Sequence, residues 1–139
     1  MAAVSTGRRP MREVEPAPFS GVRSLLRWWA RPALRGASVE AGTRTTLRER
    51  REREALHAVV VLAVQAAERD MGPAAYRVLV AYYRGGRSEA ALVDEQPETI
   101  TAEAARRKVG RLLHRAERCV LTAGLEAGLV EREEAAVRA

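Results

Sequence analysis

The amino-acid sequence predicts an all-α protein, a small helical domain, and three observations support that prediction. The chain has 139 residues, which is enough for one compact domain and a tail. It contains 26 alanines but a single phenylalanine. Alanine has the highest helix propensity and buries little surface, so this composition favours helices around a modest core. Apolar residues also recur at helical spacing between segments that hold glycine and proline.

The chain begins with residues 1–20, which hold several prolines and few large apolar residues, so we expect a flexible arm. Residues 21–34 (GVRSLLRWWARPAL) favour a short helix, which Pro32 should end because proline disrupts helical hydrogen bonding. Trp28 and Trp29 both lie in this helix. They either pack on the main core or form an exposed aromatic anchor for a partner, since tryptophan is enriched at interface hot spots.

After a linker at 35–45, Thr46 and Glu49 predict the start of a long helix, because threonine and glutamate at this spacing form a capping box. The first half of the helix places arginine and glutamate at i, i+4 spacing, which is typical of an exposed face. The second half, residues 56–67, is nearly all apolar, and we expect it to be buried. Gly72, followed by proline, predicts the end of the helix.

Two shorter helices are predicted next. Residues 74–84 (AAYRVLVAYYR) form the first of them, and the glycine pair that begins at Gly85 ends it. Residues 87–95 form the second, with Ser88 as its N-cap, because serine at this position accepts a hydrogen bond from the first turn. The following QPET sequence predicts a turn.

The final and longest helix is predicted from about Thr101 towards Gly124, and it carries the densest positive charge, in RRKVGRLLHRAE. At about 100° per residue, its apolar and cationic side chains separate onto opposite arcs. The apolar arc comprises Val109, Leu112, Leu113, Ala116 and Val120. The cationic arc comprises Arg107, Lys108, Arg111, Arg115 and Arg118, with His114 at its margin. The cationic face is either an ordinary solvated surface or a surface that binds an anionic partner.

These elements place the helical domain at 21–128 and a charged tail at 129–139. No apolar run approaches the ~20 residues that span a bilayer. The N-terminus has arginines but lacks the apolar stretch of a signal peptide. We therefore expect a cytoplasmic protein with no membrane partner.

The net charge of +6 comes almost entirely from arginine, and Lys108 is the only lysine. The planar guanidinium of arginine offers a fork of hydrogen-bond donors that suits phosphates and guanine edges.

Cys119 is the only cysteine, which excludes an intramolecular disulfide and a cysteine-rich zinc site. Glu54 and His57 form one Glu-x-x-His pair, but a metal site in a helical bundle needs a second copy. Because the chain also lacks a glycine-rich phosphate loop, we expect no enzymatic activity, no cofactor and no metal.

The order helix, Gly-Gly, short helix, turn, basic helix is that of a helix-turn-helix motif, which we place at about 74–123. The basic helix would enter a DNA major groove about 12 Å wide. Arg106, Arg107 and Lys108 would reach base edges, and the arginines that follow would contact phosphates. The predicted DNA-binding residues are Arg87, Ser88, Thr101, Arg106, Arg107, Lys108, Arg111, Arg115 and Arg118.

Three stretches resemble a known family. LVAYYRGGRSEAAL (79–92) followed by RKVGRLLHRAERCVLTAGL (107–125) is similar to the C-terminal half of the Q-type late-gene antitermination proteins of lambdoid phages, in the branch found in phage 21. LLRWWA (25–30) resembles a Leu/Trp stretch near the start of those proteins. The resemblance covers roughly residues 22–125, and the single cysteine excludes the zinc-binding branch of the family.

This branch is itself similar to sigma factor region 4, whose recognition helix shows the same spacing as Val109, Leu113 and Ala116. The resemblance therefore implies a helix-turn-helix of the region 4 type. The chain departs from it at one point, because the 18 positions from Ala91 to Val109 exceed those of a compact motif. Either DEQPETIT is an enlarged turn, or the recognition helix starts well before Val109.

The resemblance implies a protein that binds a DNA element near a late promoter, loads onto paused RNA polymerase and travels with it. In the phage 21 type the protein forms a collar at the RNA exit channel, where pause and terminator hairpins can then no longer fold. The implied partners are double-stranded DNA, bacterial RNA polymerase with its sigma factor, nascent RNA, and in addition a second copy of the chain. The candidate RNA- or polymerase-contacting residues are Trp28, Trp29, Arg44, Arg48, Arg50, Arg51 and Arg53.

Two other functions fit the same residues. An ordinary helix-turn-helix repressor or activator needs the same basic helix, but it does not need the Leu/Trp segment or the basic stretch at 44–53. A helical adaptor that binds an acidic protein would lack the steep salt dependence that counterion release gives to DNA complexes.

Overall fold

The computed structural model of the protein describes residues 16–31 and 46–131. The helices of this portion are α1, Val22–Ala30; α2, Leu47–Met71; α3, Pro73–Leu79; α4, Glu89–Asp94; and α5, Ala102–Glu126. The chain continues from α3 as a single π-helical turn, Val80–Arg84. No β-strand occurs within the described ranges, so the all-α prediction is confirmed. The predicted linker at 35–45, including Arg44, and the outer parts of the predicted arm and tail lie outside the described residues.

Both ends of α2 lie where the sequence predicted them. The Thr46 hydroxyl accepts a hydrogen bond from the Glu49 amide at 3.0 Å, and the Glu49 carboxylate accepts one from the Thr46 amide at 3.1 Å. This is the predicted capping box. At the other end Gly72 adopts a φ of 89°, which glycine tolerates without steric cost, and Pro73 then begins α3.

The starts of α4 and α5 are set in the same way. The Ser88 hydroxyl accepts a hydrogen bond from the Ala91 amide at 3.1 Å. The Thr101 hydroxyl accepts one from the Ala104 amide at 3.0 Å. Each cap satisfies an amide that has no partner inside its helix. The predicted N-cap at Ser88 is therefore confirmed, and α5 starts at the predicted position, with Thr101 as its N-cap.

The central element is α5, which packs along α2 and also contacts α1, α3 and α4. The main core forms where one face of each of α1, α2 and α3 meets the C-terminal half of α5. The largest side chains that are fully buried include Leu25, Leu26, Val60, Leu79 and Val120. A smaller group of buried residues, outside the main core, joins α4 to the N-terminal half of α5: Leu92, Ala105, Val109 and Leu113.

The domain extends beyond both boundaries that the sequence suggested. The Phe19 amide donates a hydrogen bond to the Leu129 carbonyl at 3.0 Å, and Phe19 forms an isolated parallel bridge with Val130. All three side chains are buried in the main core. The domain boundaries at 21 and 128 were therefore too narrow. The error arose because these apolar residues stand beside prolines and charges, where no local periodicity marks them.

The second half of α2 is buried on one face only, so the prediction of general burial was wrong. Val60 and Val64 are buried, whereas Leu62 is 65% exposed and Val59 is 39% exposed. An apolar run shows no periodicity from which its covered side can be inferred. None of the described helices covers the side of α2 that carries Leu62.

Candidate nucleic-acid interface

Three arginines form an exposed stripe along α5. Arg107, Arg111 and Arg118 are all exposed, and at 100° per residue they fall within about 40° of one another. At 1.5 Å rise per residue the stripe is about 16 Å long. Arg107 also forms an ion pair with Glu103 at 3.1 Å, but both groups are largely exposed, so this pair contributes little to stability. We call these three residues the arginine stripe.

The opposite face of α5 fixes the direction in which the stripe points. Val109, Leu113, Ala116 and Val120 are all buried, and Leu112 is half-buried, which confirms the predicted apolar arc. Because this face is packed on the neighbouring helices, the helix cannot rotate about its axis. The stripe is therefore held in the solvent.

The segment before α5 combines both alternatives that the sequence left open. The turn between α4 and α5 spans residues 95–101, and α5 starts at Ala102, well before Val109. The turn is braced by a hydrogen bond from the Gln96 side-chain amide to the Leu92 carbonyl at 3.2 Å. The order of helices is thus the predicted one, with an enlarged turn and an early start of the last helix.

Arg106 and Lys108 lie on either side of the arginine stripe. Arg106 is exposed and lines a cavity of about 390 Å³ between α4 and α5, together with Glu89 and Asp94. Lys108 is half-buried and lines a separate crevice with Glu95. Both cations therefore face the crevices beside α5, away from the arginine stripe.

Arg115 has a structural role that differs from the predicted one. Its Nε donates a hydrogen bond to the Met71 carbonyl at 2.8 Å, and its Nη2 donates one to the Asp70 carbonyl at 3.1 Å. These carbonyls end α2 and lack partners within that helix, and a cation there is also favoured by the helix dipole. The guanidinium of Arg115 therefore holds α2 against α5, and two of its N–H groups are already engaged there. Its contact with DNA phosphates stays a prediction.

Arg87 and Ser88 lie at the start of α4. Arg87 forms an ion pair with Glu95 across this short helix, and both side chains are about half-exposed. The hydroxyl oxygens of Ser88 and Thr101 accept the N-cap hydrogen bonds, while the hydroxyl protons can still be donated to a phosphate.

The two tryptophans belong mainly to the core. Trp29 is 2% exposed, and the Arg84 guanidinium lies 3.9 Å from the centroid of its ring, in a cation–π contact. Trp28 is half-buried between the rings of Phe19 and His57, at centroid distances of 5.7 and 6.2 Å. A polymerase-contacting role for Trp29 is therefore corrected, because the aromatic surface is already covered.

The predicted RNA- or polymerase-contacting arginines of α2 lie on its first turns. Arg48, Arg50 and Arg51 are exposed and Arg53 is half-buried. Arg48 forms an ion pair with Glu52 at 3.2 Å. Glutamates alternate with these arginines along α2, so this surface carries less net positive charge than the arginine stripe.

The structure also shows a cluster of arginines that the sequence interpretation missed. Arg23, Arg27 and Arg31 line an open groove with Arg87, Tyr82 and Tyr83, and its volume is about 360 Å³. The signal was present in the sequence, since the three arginines recur every four residues along α1 and its last turn. The tyrosines come from a distant segment, so the sequence did not show that they lie opposite.

Other chemistry is sparse in the described residues. No three histidine, cysteine, aspartate or glutamate residues gather there in a way that could hold a metal ion. Cys119 is half-buried, and burial raises the pKa of its thiol while nearby Arg115 acts in the opposite direction. None of the helices in this part of the chain is long and apolar enough to span a membrane.

Comparisons with protein-family models, with curated proteins and with solved structures found no match to this chain.

Proposed function

We propose that the protein is a transcription antitermination factor that binds a DNA element near a late promoter, and then loads onto paused RNA polymerase to prevent hairpin formation at the RNA exit channel. The observation that carries DNA binding is the exposed arginine stripe of α5, on a helix whose other side is packed. The step from DNA binding to antitermination depends on the resemblance of LVAYYRGGRSEAAL and the following basic helix to the Q-type proteins.

The dimensions of α5 suit a major groove. A helix with its side chains is about 10–12 Å across, and the groove is about 12 Å wide. Arg107 lies nearer the start of the helix, where side chains of a recognition helix contact base edges. Arg111 and Arg118 would follow the phosphates, and the hydroxyl of Ser88 would donate to the backbone beside them.

DNA binding is tested by titrating a labelled duplex from the upstream region of the gene, at several salt concentrations. Arg111→Gln should weaken binding and reduce the slope of log K against log salt by about 0.9, the value for one lost phosphate contact. Arg69→Gln is the matched control, because Arg69 is also an exposed helical arginine but lies on α2. An equal loss in both variants would mean that only the total charge matters.

Antitermination is tested by transcription in vitro through a strong intrinsic terminator, on a template with the native promoter and upstream DNA. We expect readthrough that requires both the protein and this DNA. The triple variant Arg107→Gln, Arg111→Gln, Arg118→Gln should terminate like the reaction without protein.

One observation favours an ordinary helix-turn-helix regulator as a second candidate. The burial of Trp29 removes part of the aromatic surface that would set an antitermination factor apart from such a regulator. Unchanged termination together with tight, salt-sensitive binding to the same duplex would select the regulator.

A further inference from the structure

A groove between α1 and the π-helical turn gathers positive charge and aromatic rings on one surface. We define the arginine groove by Arg23, Arg27, Arg31, Arg87, Tyr82 and Tyr83, which line a volume of about 360 Å³. The groove is open to solvent, and none of its arginines belongs to the arginine stripe of α5.

The packing of α1 directs its arginines into this groove. Val22, Leu25, Leu26 and Trp29 are buried in the main core, which fixes the rotation of this short helix. Arg23, Arg27 and Arg31, four residues apart, then follow one another along the opposite side. Each step of four residues advances about 6 Å along a helix. This spacing is close to that between neighbouring phosphates of an extended nucleic-acid strand.

The aromatic side of the groove is held rigidly. The Tyr83 hydroxyl donates a hydrogen bond to the Glu117 carboxylate at 2.7 Å, and the Tyr82 ring packs edge-on against Tyr83 at a centroid distance of 5.0 Å. Burial, and then the hydrogen bond to Glu117, raise the pKa of Tyr83 well above its usual range. The hydroxyl therefore remains protonated, and the pair of rings keeps its position.

The charge of the groove is only partly balanced by the protein itself. Arg23 lies 3.8 Å from the carboxylate of Glu117, and Arg87 is paired with Glu95. Neither Arg27 nor Arg31 forms an ion pair with a carboxylate of the described residues. Cations lined up in one concave surface repel each other and attract an anion, because the concave shape concentrates their field.

We propose that the arginine groove binds single-stranded nucleic acid, with its phosphates on Arg27 and Arg31 and a base stacked on the exposed part of Tyr82. Proteins that bind single strands combine a positive groove with aromatic platforms in this way. The identification of the strand as nascent RNA rests on the proposed function, whereas the groove itself does not depend on the arginine stripe.

The position of Arg23 adds a second feature. Arg23 also lines a shallow pocket with His114 and Arg118, so the groove begins where the arginine stripe ends. A strand in the groove would therefore lie next to a duplex held by α5.

The test is fluorescence anisotropy of the full chain with labelled twelve-residue oligouridine, oligodeoxythymidine and the duplex used for α5. We expect the double variant Arg27→Gln, Arg31→Gln to bind oligouridine at least tenfold more weakly. Its salt slope should fall by about 1.4, the value for two contacts with a single strand. Its duplex affinity should stay within about twofold of the wild type.

Two further double variants test whether the loss of oligouridine binding is specific to the groove and whether it is independent of duplex binding by α5. Arg107→Gln with Arg111→Gln should show the reverse pattern, with weaker duplex binding and unchanged oligouridine binding. Arg69→Gln with Arg77→Gln removes the same charge elsewhere and should change neither. If neither the wild type nor any variant binds the duplex, but the wild type still binds oligouridine, the DNA-binding proposal is wrong and the proposal for the arginine groove is supported.

The role of the aromatic platform is tested at Tyr82. Tyr82→Ala should weaken oligouridine binding about tenfold, and Tyr82→Phe should retain it, because stacking needs the ring and not the hydroxyl. The proposal is overturned if Arg27→Gln, Arg31→Gln binds oligouridine like the wild type or like the Arg69, Arg77 control. It is also overturned if uridine monophosphate competes as well as an equal concentration of oligouridine nucleotides.

Discussion

The two halves of α5 differ in what surrounds them. The C-terminal half belongs to the main core, where Ala116, Val120 and Gly124 are buried against α1, α2 and the segment that carries Val130. The N-terminal half packs on the six-residue α4 through the smaller buried group, and it carries two of the three stripe arginines. The same helix thus serves as core scaffold at one end and as an exposed surface at the other.

This difference has a consequence for stability. One side of the N-terminal half is exposed and its partner α4 is short, so fewer apolar contacts hold this segment. We expect the N-terminal half of α5 to open locally more often than the C-terminal half, because local opening follows the density of buried apolar contacts.

The largest expected effect comes from core truncation in the two halves. Leu25→Ala should lower the free energy of unfolding by about 2–5 kcal/mol, because Leu25 is fully buried in the main core. Leu92→Ala removes the same atoms beneath α4 and should fall at or below the low end of that range. Urea unfolding measures both, and hydrogen exchange should show the second loss confined to α4 and the start of α5. Equal losses would mean that the two halves form one cooperative unit.

The second prediction concerns the arginine that joins α2 to α5. Arg115→Met keeps the aliphatic stem but removes the hydrogen bonds to the carbonyls of Asp70 and Met71. We expect a loss of about 1 kcal/mol, since hydrogen bonds from a charged donor are strong but this side chain is partly exposed. Duplex DNA binding should weaken less than in Arg111→Met, whose stability should stay unchanged. The opposite pattern would place Arg115 among the DNA-binding residues.

Helix ends and helix faces could be predicted from the sequence because their causes are local. Thr46, Ser88 and Thr101 cap helices through amides only three residues away, and the apolar arc of α5 follows from a fixed period. Arg115 shows the limit of local sequence patterns. In the sequence it belongs to the same cationic arc as Arg111, and only the structure shows that it contacts the end of α2.

The candidate sites show the same limit. The arginine stripe was predicted because its members lie on one helix. The arginine groove was missed because Tyr82 lies in another segment, on a π-helical turn that has no signature in the sequence. The bridge between Phe19 and Val130 joins the two ends of the domain, and no periodicity links positions so far apart.

A third prediction compares two glycines within α5. Gly110 lies in the N-terminal half, where an added Cβ meets nothing within 4 Å. Gly110→Ala should therefore stabilise the protein by about 0.5–1 kcal/mol, the usual gain within a helix. At Gly124 an added Cβ would lie 3.1 Å from Val130 and 3.2 Å from Leu25. Gly124→Ala should thus lose this gain or become destabilising in thermal unfolding. A gain in stability at both positions would show that the side chains around Gly124 are packed less closely than the structure indicates.

The smallest expected effect concerns Tyr83, which ties the π-helical turn to the C-terminal half of α5. Its burial and its hydrogen bond to Glu117 raise its pKa in the folded state above the ordinary value of 10.0. The folded state therefore favours the neutral phenol, a contribution that is complete below pH 10 and is lost as the pH rises above it. Between pH 10 and 11 the wild type should lose less than about 1 kcal/mol by this route, because Tyr83 is only partly buried and solvent weakens the effect. Tyr83→Phe should have a lower free energy of unfolding below pH 10, because it lacks the hydrogen bond. Its free energy of unfolding should also decline less steeply with pH, as measured by urea unfolding.

Tyr82→Phe is the matched control, because Tyr82 shares the aromatic pair but donates no hydrogen bond to Glu117. If Tyr83→Phe and Tyr82→Phe decline in parallel with the wild type, the hydroxyl of Tyr83 is no more restrained than that of its neighbour, and the groove lacks the rigid wall described above.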